Sequence, residues 1–315
     1  MANALTALQD RVTLGFHNAL SERGPLVERV GFVRTDKTQT LRMTSQHLEH
    51  AWGNFSGSAP TATDVNSYAL THTAQARAAK VSFTREEIED AEQADGMNAL
   101  VDTAVAQLAD QARNDEDRAF FQGLNGLFST AHPLTADLTG NPNYFATDLT
   151  ISGIGPASGD VVVNNLLTTP LSESSMFAAR QRLMEQTNWA GDPLNIMGPY
   201  CLVVSPKNER LARQLVGSPS VDQSQSNPQG YSNLAGPEVT DVVVTSLLSD
   251  DDDWFLIYKG LNDKGLGSPV GLWRRTAPMI KVREDSMFNT FIEAYSRRSF
   301  VYSPDGLGII GANVA

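Results

Sequence analysis

The sequence has only one cysteine, Cys201, so no disulfide can form within its 315 residues. This thiol lies in the apolar run at residues 200–204, which is typical of a buried structural cysteine in a protein made in a reducing compartment. The five histidines are scattered along the chain and offer too few ligands at suitable spacing for a zinc site. We therefore expect no metal and no other cofactor.

Positive charge is also scarce, since 24 lysines and arginines stand against 36 aspartates and glutamates, for a formal net charge of -12. Tight binding of nucleic acid depends on clustered lysine and arginine, and this balance argues against it. An acidic surface can still lie beside DNA without adhering to it. Long apolar runs and a signal-peptide pattern are missing too, so the sequence predicts neither a membrane span nor a secretion signal.

The motifs of common enzyme chemistry are absent. The chain has no glycine-rich phosphate loop, no dinucleotide-binding glycine pattern and no Gly-x-Ser-x-Gly nucleophile turn. His132 precedes Pro133, and this pair fits a rigid turn better than a catalytic site. Four consecutive aspartates at residues 250–253 predict a solvated hairpin turn, with a cation site as the alternative. We predict no catalytic residue and no enzyme.

A long amphipathic helix is the clearest positive signal in the sequence. Apolar residues recur at steps of three and four over residues 95–122, and this spacing predicts one buried stripe along the helix. Acidic residues just before the helix complement the positive end of its dipole. The predicted stripe consists of Met97, Leu100, Val101, Ala104, Val105, Leu108 and Ala112.

Ahead of that helix, residues 46–79 contain very few bulky aliphatic side chains. Their composition predicts a loop tip at residues 53–60 and a strand at residues 67–83 that returns along the outgoing chain. A two-stranded ribbon is marginal alone in water, so we expect it to lie against a neighbouring subunit, as in an assembly protein. The candidate inter-subunit contacts in the ribbon are Trp52, Phe55 and Tyr68.

The first twenty residues predict an amphipathic helix or arm, which Gly24 and Pro25 terminate. We expect the apolar stripe of this arm to hold it against its own subunit or an adjacent one. These further candidate contacts are Leu5, Leu8, Val12 and Phe16.

The second half of the chain combines helices and strands. A second amphipathic helix is predicted at residues 171–189 with Ser172 as its N-cap, and another is predicted to follow Ser205 with Pro206 in its first turn. The sequence therefore predicts an α+β protein of two lobes with an extended arm. Its predicted strands in this half are residues 200–204, 239–244, 254–258, 270–273, 288–295 and 300–302.

A series of motifs also occurs in a recognisable order along the chain. Around the long helix these are Trp52-Gly53, the run 83–90, Asp117, Phe120-Phe121 and His132-Pro133. Later motifs are the strand-then-helix segment 202–206 with Glu209 and Ala212, then Asn233-Leu234, residues 253–256 and residues 295–298. Together they resemble the Mu-like prophage major head subunit family, and the resemblance covers the chain from about Val27 onward.

This resemblance implies the Hong Kong 97-type capsid fold, with an N-terminal arm, an extended β-ribbon loop, a peripheral domain carrying a long spine helix, and an axial domain. The implied ranges are an arm at 1–36, the loop at 37–84, the peripheral domain at 85–165 with its spine helix at 95–122, the axial domain at 166–284, and strands at 285–315 that return to the peripheral domain.

The implied function is that of a major capsid protein of a tailed bacteriophage or prophage. Such a protein assembles in the host cytoplasm with copies of itself, as hexamers and pentamers of an icosahedral head around double-stranded DNA, and its final location is the virion. Scaffold, portal and cement proteins are implied partners, whereas sequence-specific DNA contacts and membrane contacts are not expected.

Two features of the sequence refine this expectation. No lysine lies between Lys37 and Lys80, so a shell cross-linked through lysines of the ribbon is not expected. Because the resemblance begins near Val27, we also expect no separate scaffolding domain within the chain and little or no trimming.

Two other classes of protein remain open at this point. An encapsulin-type nanocompartment shell resembles the same fold but holds a cargo enzyme. A soluble enzyme with an unrecognised site is the second alternative, and it would form a small oligomer rather than a shell.

Overall fold

The computed structural model describes residues 2–22, 24–48, 65–84, 86–87, 97–133, 143–147, 149–151, 161–187, 193–217, 238–260, 268–285 and 289–314. The α-helices are α1 (Ala2–Glu22), α2 (Val27–Val30), α3 (Met97–Gly126), α4 (Glu173–Glu185) and α5 (Glu209–Val216). The strands are β1 (Phe32–Thr35), β2 (Thr40–Leu48), β3 (Val65–Thr73), β4 (Gln75–Phe83), β5 (Leu149–Ile151), β6 (Val161–Val163), β7 (Leu166–Leu167), β8 (Tyr200–Val204), β9 (Val239–Val244), β10 (Trp254–Tyr258), β11 (Val270–Glu284), β12 (Thr290–Tyr302) and β13 (Ile309–Ala312).

One sheet has five strands in the order β7-β13-β10-β8-β9. Strand β8 is antiparallel to β10 and parallel to β9, and all five of its residues are buried. Leu202 packs with α4 and α5 on one face, while Val203 packs on the other face with the C-terminal part of α3. Because both faces are covered, the strand is apolar throughout, as its sequence indicates.

A second sheet has four strands in the order β1-β11-β12-β4. Strand β12 alternates strictly, with Ile292, Ala294, Ser296 and Arg298 buried and the residues between them partly exposed. This period of two places one face of the sheet against helices α1 and α3. A Cβ at Gly123 of α3 would lie 2.3 Å from Cγ of Phe300, so glycine at this position lets the helix lie directly on β12.

The predicted ribbon is present as the antiparallel pair β2 and β3, from Thr40 opposite Thr73 to Leu48 opposite Val65. The predicted return strand at residues 67–83 is divided at Ala74. Its first part pairs with β2, and its second part leaves the ribbon as β4 and pairs with β12.

The helices follow the sequence closely. Helix α3 confirms the predicted long helix, and Val101, Val105 and Leu108 of its stripe are buried. The prediction for Leu100 is wrong, because this residue is 38% exposed at the margin of the face that packs against α1 and the sheet. Helix α4 confirms the predicted cap, since Ser172 Oγ accepts a hydrogen bond from the Ser175 N–H at 3.1 Å.

The segment after β8 differs from its prediction. Residues Pro206–Asn208 form one turn of 3-10 helix before α5 begins, and Ser205 makes no side-chain cap. Its hydroxyl instead donates to the backbone carbonyl of Asp251, in the connection between β9 and β10. The Ser205 hydroxyl therefore stabilises the β9–β10 connection instead of the start of the helix.

The C-terminal strands are longer than predicted, and the predicted domain ranges do not coincide with the sheets. The two predicted strands at 288–295 and 300–302 overlap one strand, β12, and the predicted strand at 270–273 continues to Glu284 as β11. Strand β11 falls in the range expected for the axial domain but pairs with β12 in the four-stranded sheet. Strand β13, expected with the peripheral domain, joins the five-stranded sheet instead.

The aspartates at residues 250–253 do not form the predicted hairpin. Strand β8 lies between β9 and β10, so the connection that contains them crosses over the end of β8. Asp253 is 2% exposed and accepts a hydrogen bond from the Val314 N–H at 3.1 Å, while Asp252 pairs with Lys207 at 2.7 Å. These aspartates therefore connect the β9–β10 segment to Lys207 and to the C-terminal segment. Within the described ranges no group of acidic, histidine or cysteine residues is arranged to hold a metal ion.

The packing of α3 predicts different effects for two adjacent substitutions. Leu108 is 1% exposed, so Leu108→Ala should lower the free energy of unfolding by about 2–5 kcal/mol. Gln107 is exposed, and Gln107→Ala should change it by less than about 0.5 kcal/mol. Urea unfolding of the unassembled subunit measures both values, and equal losses would show that the buried face has been misassigned.

Candidate functional site

The N-terminal helix α1 is built into the subunit. Val12 and Phe16 are 1% and 0% exposed and pack with Val101, Val105 and other apolar residues of α3, β11 and β12. Arg11 forms a two-bonded ion pair with Asp102, at 3.2 and 2.7 Å. The helix therefore closes the core on the α3 side of the four-stranded sheet.

Helix α1 also covers an open edge of β11. Strand β1 pairs with β11 only between Gly271 and Arg274, and no other described strand lies beside the later backbone of β11 on that side. The Gln9 side chain accepts from the Val282 N–H at 2.6 Å and donates to the Ile280 carbonyl at 3.3 Å. One amide side chain thus replaces two strand hydrogen bonds, which protects an edge from pairing with other chains.

Of the two alternatives expected for the arm, its own subunit or an adjacent one, Val12 and Phe16 pack on their own subunit. Both side chains are enclosed by their own chain, and no surface of either is left for a neighbour. Leu8 is partly buried against the same cluster. Leu5 lies in α1 and Tyr68 lies opposite Ser45 in the ribbon, but their side chains are outside the described set, as are Trp52 and Phe55 entirely.

The β2–β3 ribbon is anchored at its base. Leu41 is 4% exposed and packs on Trp273 and Val301, which belong to β11 and β12. His72 packs edge-on against Tyr302, with 5.2 Å between the ring centroids, and burial lowers the pKa of this histidine. Each ribbon strand has nine residues, so the pair extends about 30 Å.

Three consecutive acidic residues of α3 connect this helix to α2 and to the four-stranded sheet. We call Asp115, Glu116 and Asp117 the acidic triplet. Consecutive residues of an α-helix point about 100° apart, so the three side chains reach three different elements. Asp115 pairs with Arg298 of β12, Glu116 with Arg274 of β11, and Asp117 with the backbone at the start of α2.

The central pair of the triplet is the most enclosed. Glu116 is 2% exposed and accepts from Nε and Nη2 of Arg274 at 2.9 and 2.6 Å. Glu28 of α2 lies 3.7 Å from the same guanidinium. Such a two-bonded geometry fixes the distance and orientation of α3 relative to β11.

Asp117 holds the short helix α2. Its carboxylate accepts from the Val27 N–H at 3.2 Å, and burial raises the pKa of this group to about 6 despite that hydrogen bond. On the other side of α2, Arg29 forms a two-bonded pair with Asp241 of β9. The turn after α1 is therefore tied to both the long helix and the five-stranded sheet.

The remaining titratable groups in the interior have no evident chemical role. Cys201 is completely buried, and burial raises the pKa of its thiol to about 12, as expected for a structural cysteine. His132 is completely buried beside Tyr144, with stacked rings 5.6 Å apart, and burial lowers its pKa to about 4. No helix in the described part of the chain is long and apolar enough to cross a membrane.

The subunit consists of two packed sheets with a ribbon anchored at its base, and known proteins share this arrangement. A family model described as a phage capsid protein matches residues 67–308. The chain belongs to the phage capsid protein family. Its role is therefore that of a structural component of a virion, and no curated protein matches it in sequence.

Solved capsid structures share the fold of this capsid protein. The capsid of cyanophage P-SCSP1u matches with a TM-score of 0.53 and 10% identity, over 93% of this chain and 89% of that one. The capsid of Myoviridae phage XM1 (10% identity) and that of a native GTA particle (11% identity) each match with a TM-score of 0.52, over 93% of this chain and 92% of theirs. At these identities the likeness shows the fold alone, and it confirms a mixed α+β protein of the Hong Kong 97 type.

The acidic triplet predicts a large effect of removing one carboxylate charge. In Glu116→Gln, the mostly buried Arg274 loses its main partner, and stability should fall by on the order of 3 kcal/mol. Asp110→Asn on the same helix is the matched control, because Asp110 is 64% exposed and its loss should cost less than about 1 kcal/mol. Urea unfolding measures both changes, and a loss at Glu116 no greater than that of the control would contradict this assignment.

The raised pKa of Asp117 predicts a specific pH dependence. The folded state holds the Asp117 proton more tightly than the unfolded state does. This proton therefore stabilises the fold fully at pH values below the ordinary pKa of 3.8, and the stabilisation is lost as the pH rises through about 6. Asp117→Asn cannot ionise, so the variant should gain stability relative to the wild type between pH 4 and 6, with a constant difference above that. Urea unfolding at several pH values between 4 and 7 measures the free energy of unfolding of both proteins. A difference between them that stays constant from pH 4 to 6 would be inconsistent with the raised pKa of Asp117.

Proposed function

We propose that this protein is the major capsid protein of a tailed phage or prophage of the Mu-like group, which forms hexamers and pentamers of an icosahedral head around double-stranded DNA. The observation that carries the proposal is the family match over residues 67–308. The ordered motifs from Trp52 to the segment 295–298 support the Mu-like assignment. Assembly takes place in the host cytoplasm, with scaffold, portal and cement proteins as partners.

The domain roles follow from the sheets. We assign the peripheral domain to the four-stranded sheet with α1 and α3 as its helical layer, and the axial domain to the five-stranded sheet with α4 and α5. Helix α3 is the spine helix in this scheme, and the β2–β3 pair is the extended loop. The N-terminal arm corresponds to α1 and α2, which the structure ties to both layers.

The ribbon is the part proposed to bind a neighbouring subunit. Its base is fixed by Leu41 and His72 on its own subunit, whereas a two-stranded ribbon about 30 Å long is only marginally stable without further packing. The ends of β2 and β3 at Leu48 and Val65 lead into the segment that contains Trp52 and Phe55. A neighbouring copy supplies the missing packing surface in a shell.

An encapsulin-type shell is the alternative with the same architecture. The family match is to phage capsid proteins and favours the phage assignment. Genes for terminase, portal and tail proteins beside this one would agree with it. A neighbouring gene for a peroxidase or a ferritin-like cargo protein would point to a nanocompartment instead.

Deletion of residues 56–64 tests the role of the ribbon. The variant should remain a soluble, folded subunit and form no shells, because the deletion leaves the anchored base intact and removes the segment expected to contact a neighbour. Negative-stain microscopy and size-exclusion chromatography measure assembly, and unfolding of the unassembled subunit controls for misfolding. Shells of normal appearance from the deletion variant would refute the role. Failure of the wild type to form any shell, alone or co-expressed with its scaffold protein, would refute the function.

A further inference from the structure

A cavity of about 400 Å³ lies between α3 and the end of the four-stranded sheet formed by β12 and β4. Three arginines line it, each from a different element: Arg77 from β4, Arg118 from α3 and Arg298 from β12. We call it the arginine cavity. The ribbon and the arm contribute no lining residue among those described, so this site is separate from the contacts discussed above.

The strand register explains why the arginines meet. Arg77 lies directly opposite Ser296 in the antiparallel pair of β4 and β12, and Arg298 is the next residue of β12 on the same face. Diagonal neighbours of this kind lie about 7–8 Å apart or less. That face is the one covered by α3, so Arg118 on the helix completes the group.

The charges in the cavity are not balanced. Asp115 is the one carboxylate among the described lining residues, and it pairs with Arg298. Within the described ranges no ion-pair partner of Arg77 or Arg118 is present. Three guanidiniums therefore face one carboxylate, which leaves an excess of two positive charges in a protein whose net charge is -12.

Arg298 is the buried member of the group, whereas Arg77 and Arg118 are exposed in the single subunit. It is 3% exposed, its Nη1 donates to Ser296 Oγ at 2.7 Å, and its Nε has no hydrogen-bond partner in the described part of the chain. Burial, reinforced by the charge of Arg77, lowers its pKa to about 10. A buried cation beside another cation is unfavourable unless an anion neutralises them, so the site is suited to an anionic group.

We propose that the arginine cavity receives a carboxylate side chain from a neighbouring copy of this chain. Among the described strands β4 is the last of its sheet, so within the described ranges the cavity lies beside a sheet edge that another copy can approach. With 36 acidic residues against 24 basic ones, each neighbouring copy carries unpaired carboxylates in excess. The incoming carboxylate accepts hydrogen bonds from the planar guanidinium of Arg118 or Arg77, a geometry that favours two parallel bonds.

Phosphate groups of packaged DNA are the other source of negative charge. The observations favour the carboxylate, because Asp115 in the cavity and the net charge of -12 repel a polyanion more strongly than a single carboxylate side chain. Binding of DNA also depends on many spread phosphate contacts, whereas this excess of charge is confined to one small cavity.

Zero-length cross-linking tests the proposal, which rests on the proposed assembly. Arg118→Lys keeps the charge and introduces an amine that a carbodiimide couples to a carboxylate in contact with it. Shells are assembled from equal amounts of ¹⁴N- and ¹⁵N-labelled subunits, and cross-linked peptides are identified by mass spectrometry. Mixed-isotope peptides that join position 118 to an acidic residue are expected, and Arg210→Lys at an exposed site of α5 serves as the matched control.

Charge reversal gives a second readout. Arg118→Glu should lower the yield of shells about tenfold and leave unfolding of the unassembled subunit unchanged, since Arg118 is exposed in the single subunit. Arg210→Glu should leave the yield unchanged. A normal yield from Arg118→Glu, or a link from position 118 only to Asp115 of the same copy, would overturn the proposal.

The remaining outcomes separate the causes. Reduced DNA retention in Arg118→Glu shells without any mixed-isotope link would assign the cavity to phosphate and overturn the carboxylate proposal. Failure of wild-type subunits to assemble, alone or with the scaffold protein present, would refute the proposed function and, with it, an inter-subunit site in the cavity. Assembly of the wild type together with a negative cross-link and a normal variant yield would refute the inference alone.

Discussion

The subunit depends on three consecutive carboxylates of α3, each of which binds a different part of the chain. Asp115 and Glu116 pair with arginines of β12 and β11, and Asp117 binds the backbone of α2. Consecutive residues of an α-helix point about 100° apart, so the three side chains can reach three different elements. Together the three contacts fix the rotation of α3 about its axis. A rotation that improved one of the three contacts would break the other two, and each loss would leave a buried charge or N–H group without its partner.

That fixed helix connects the two cores. The first half of α3 packs through Val105 and Leu108 on α1 and the four-stranded sheet. Its last turns pack through Phe121 and Leu124 on the inner face of the five-stranded sheet. Because one continuous helix belongs to both cores, the acidic triplet near its middle also determines how the two sheets are placed relative to each other.

Local patterns explain which parts of this fold could be predicted from the sequence. The spacing of apolar residues predicts α3, the unbroken apolar run predicts the doubly covered strand β8, and Ser172 marks the start of α4. Leu100 was misassigned because the predicted stripe was wider than the face that the partners cover. The hairpin at 250–253 was wrong because strands adjacent in sequence were assumed to pair, whereas β8 lies between them.

Long-range pairing explains what could not be predicted. Charged residues within a helix usually lie in solvent, and nothing near Glu116 indicates that Arg274, 158 residues later, buries it. The same holds for Gln9, whose amide covers an edge of β11 that exists only after the sheet has formed.

Net charge places a further constraint on how such subunits associate. Copies that each carry -12 repel one another, although in about 0.1 M salt this repulsion is screened beyond roughly 10 Å. Association must therefore rest on contacts at short range. The large apolar side chains exposed on the described surface each lie on a different element or loop: Leu14, Leu100, Val162, Phe177, Met197 and Met279. Where copies meet through separate small apolar contacts of this kind, each contact is weak, so a misplaced copy can dissociate, while a correctly placed copy that satisfies several contacts together is retained.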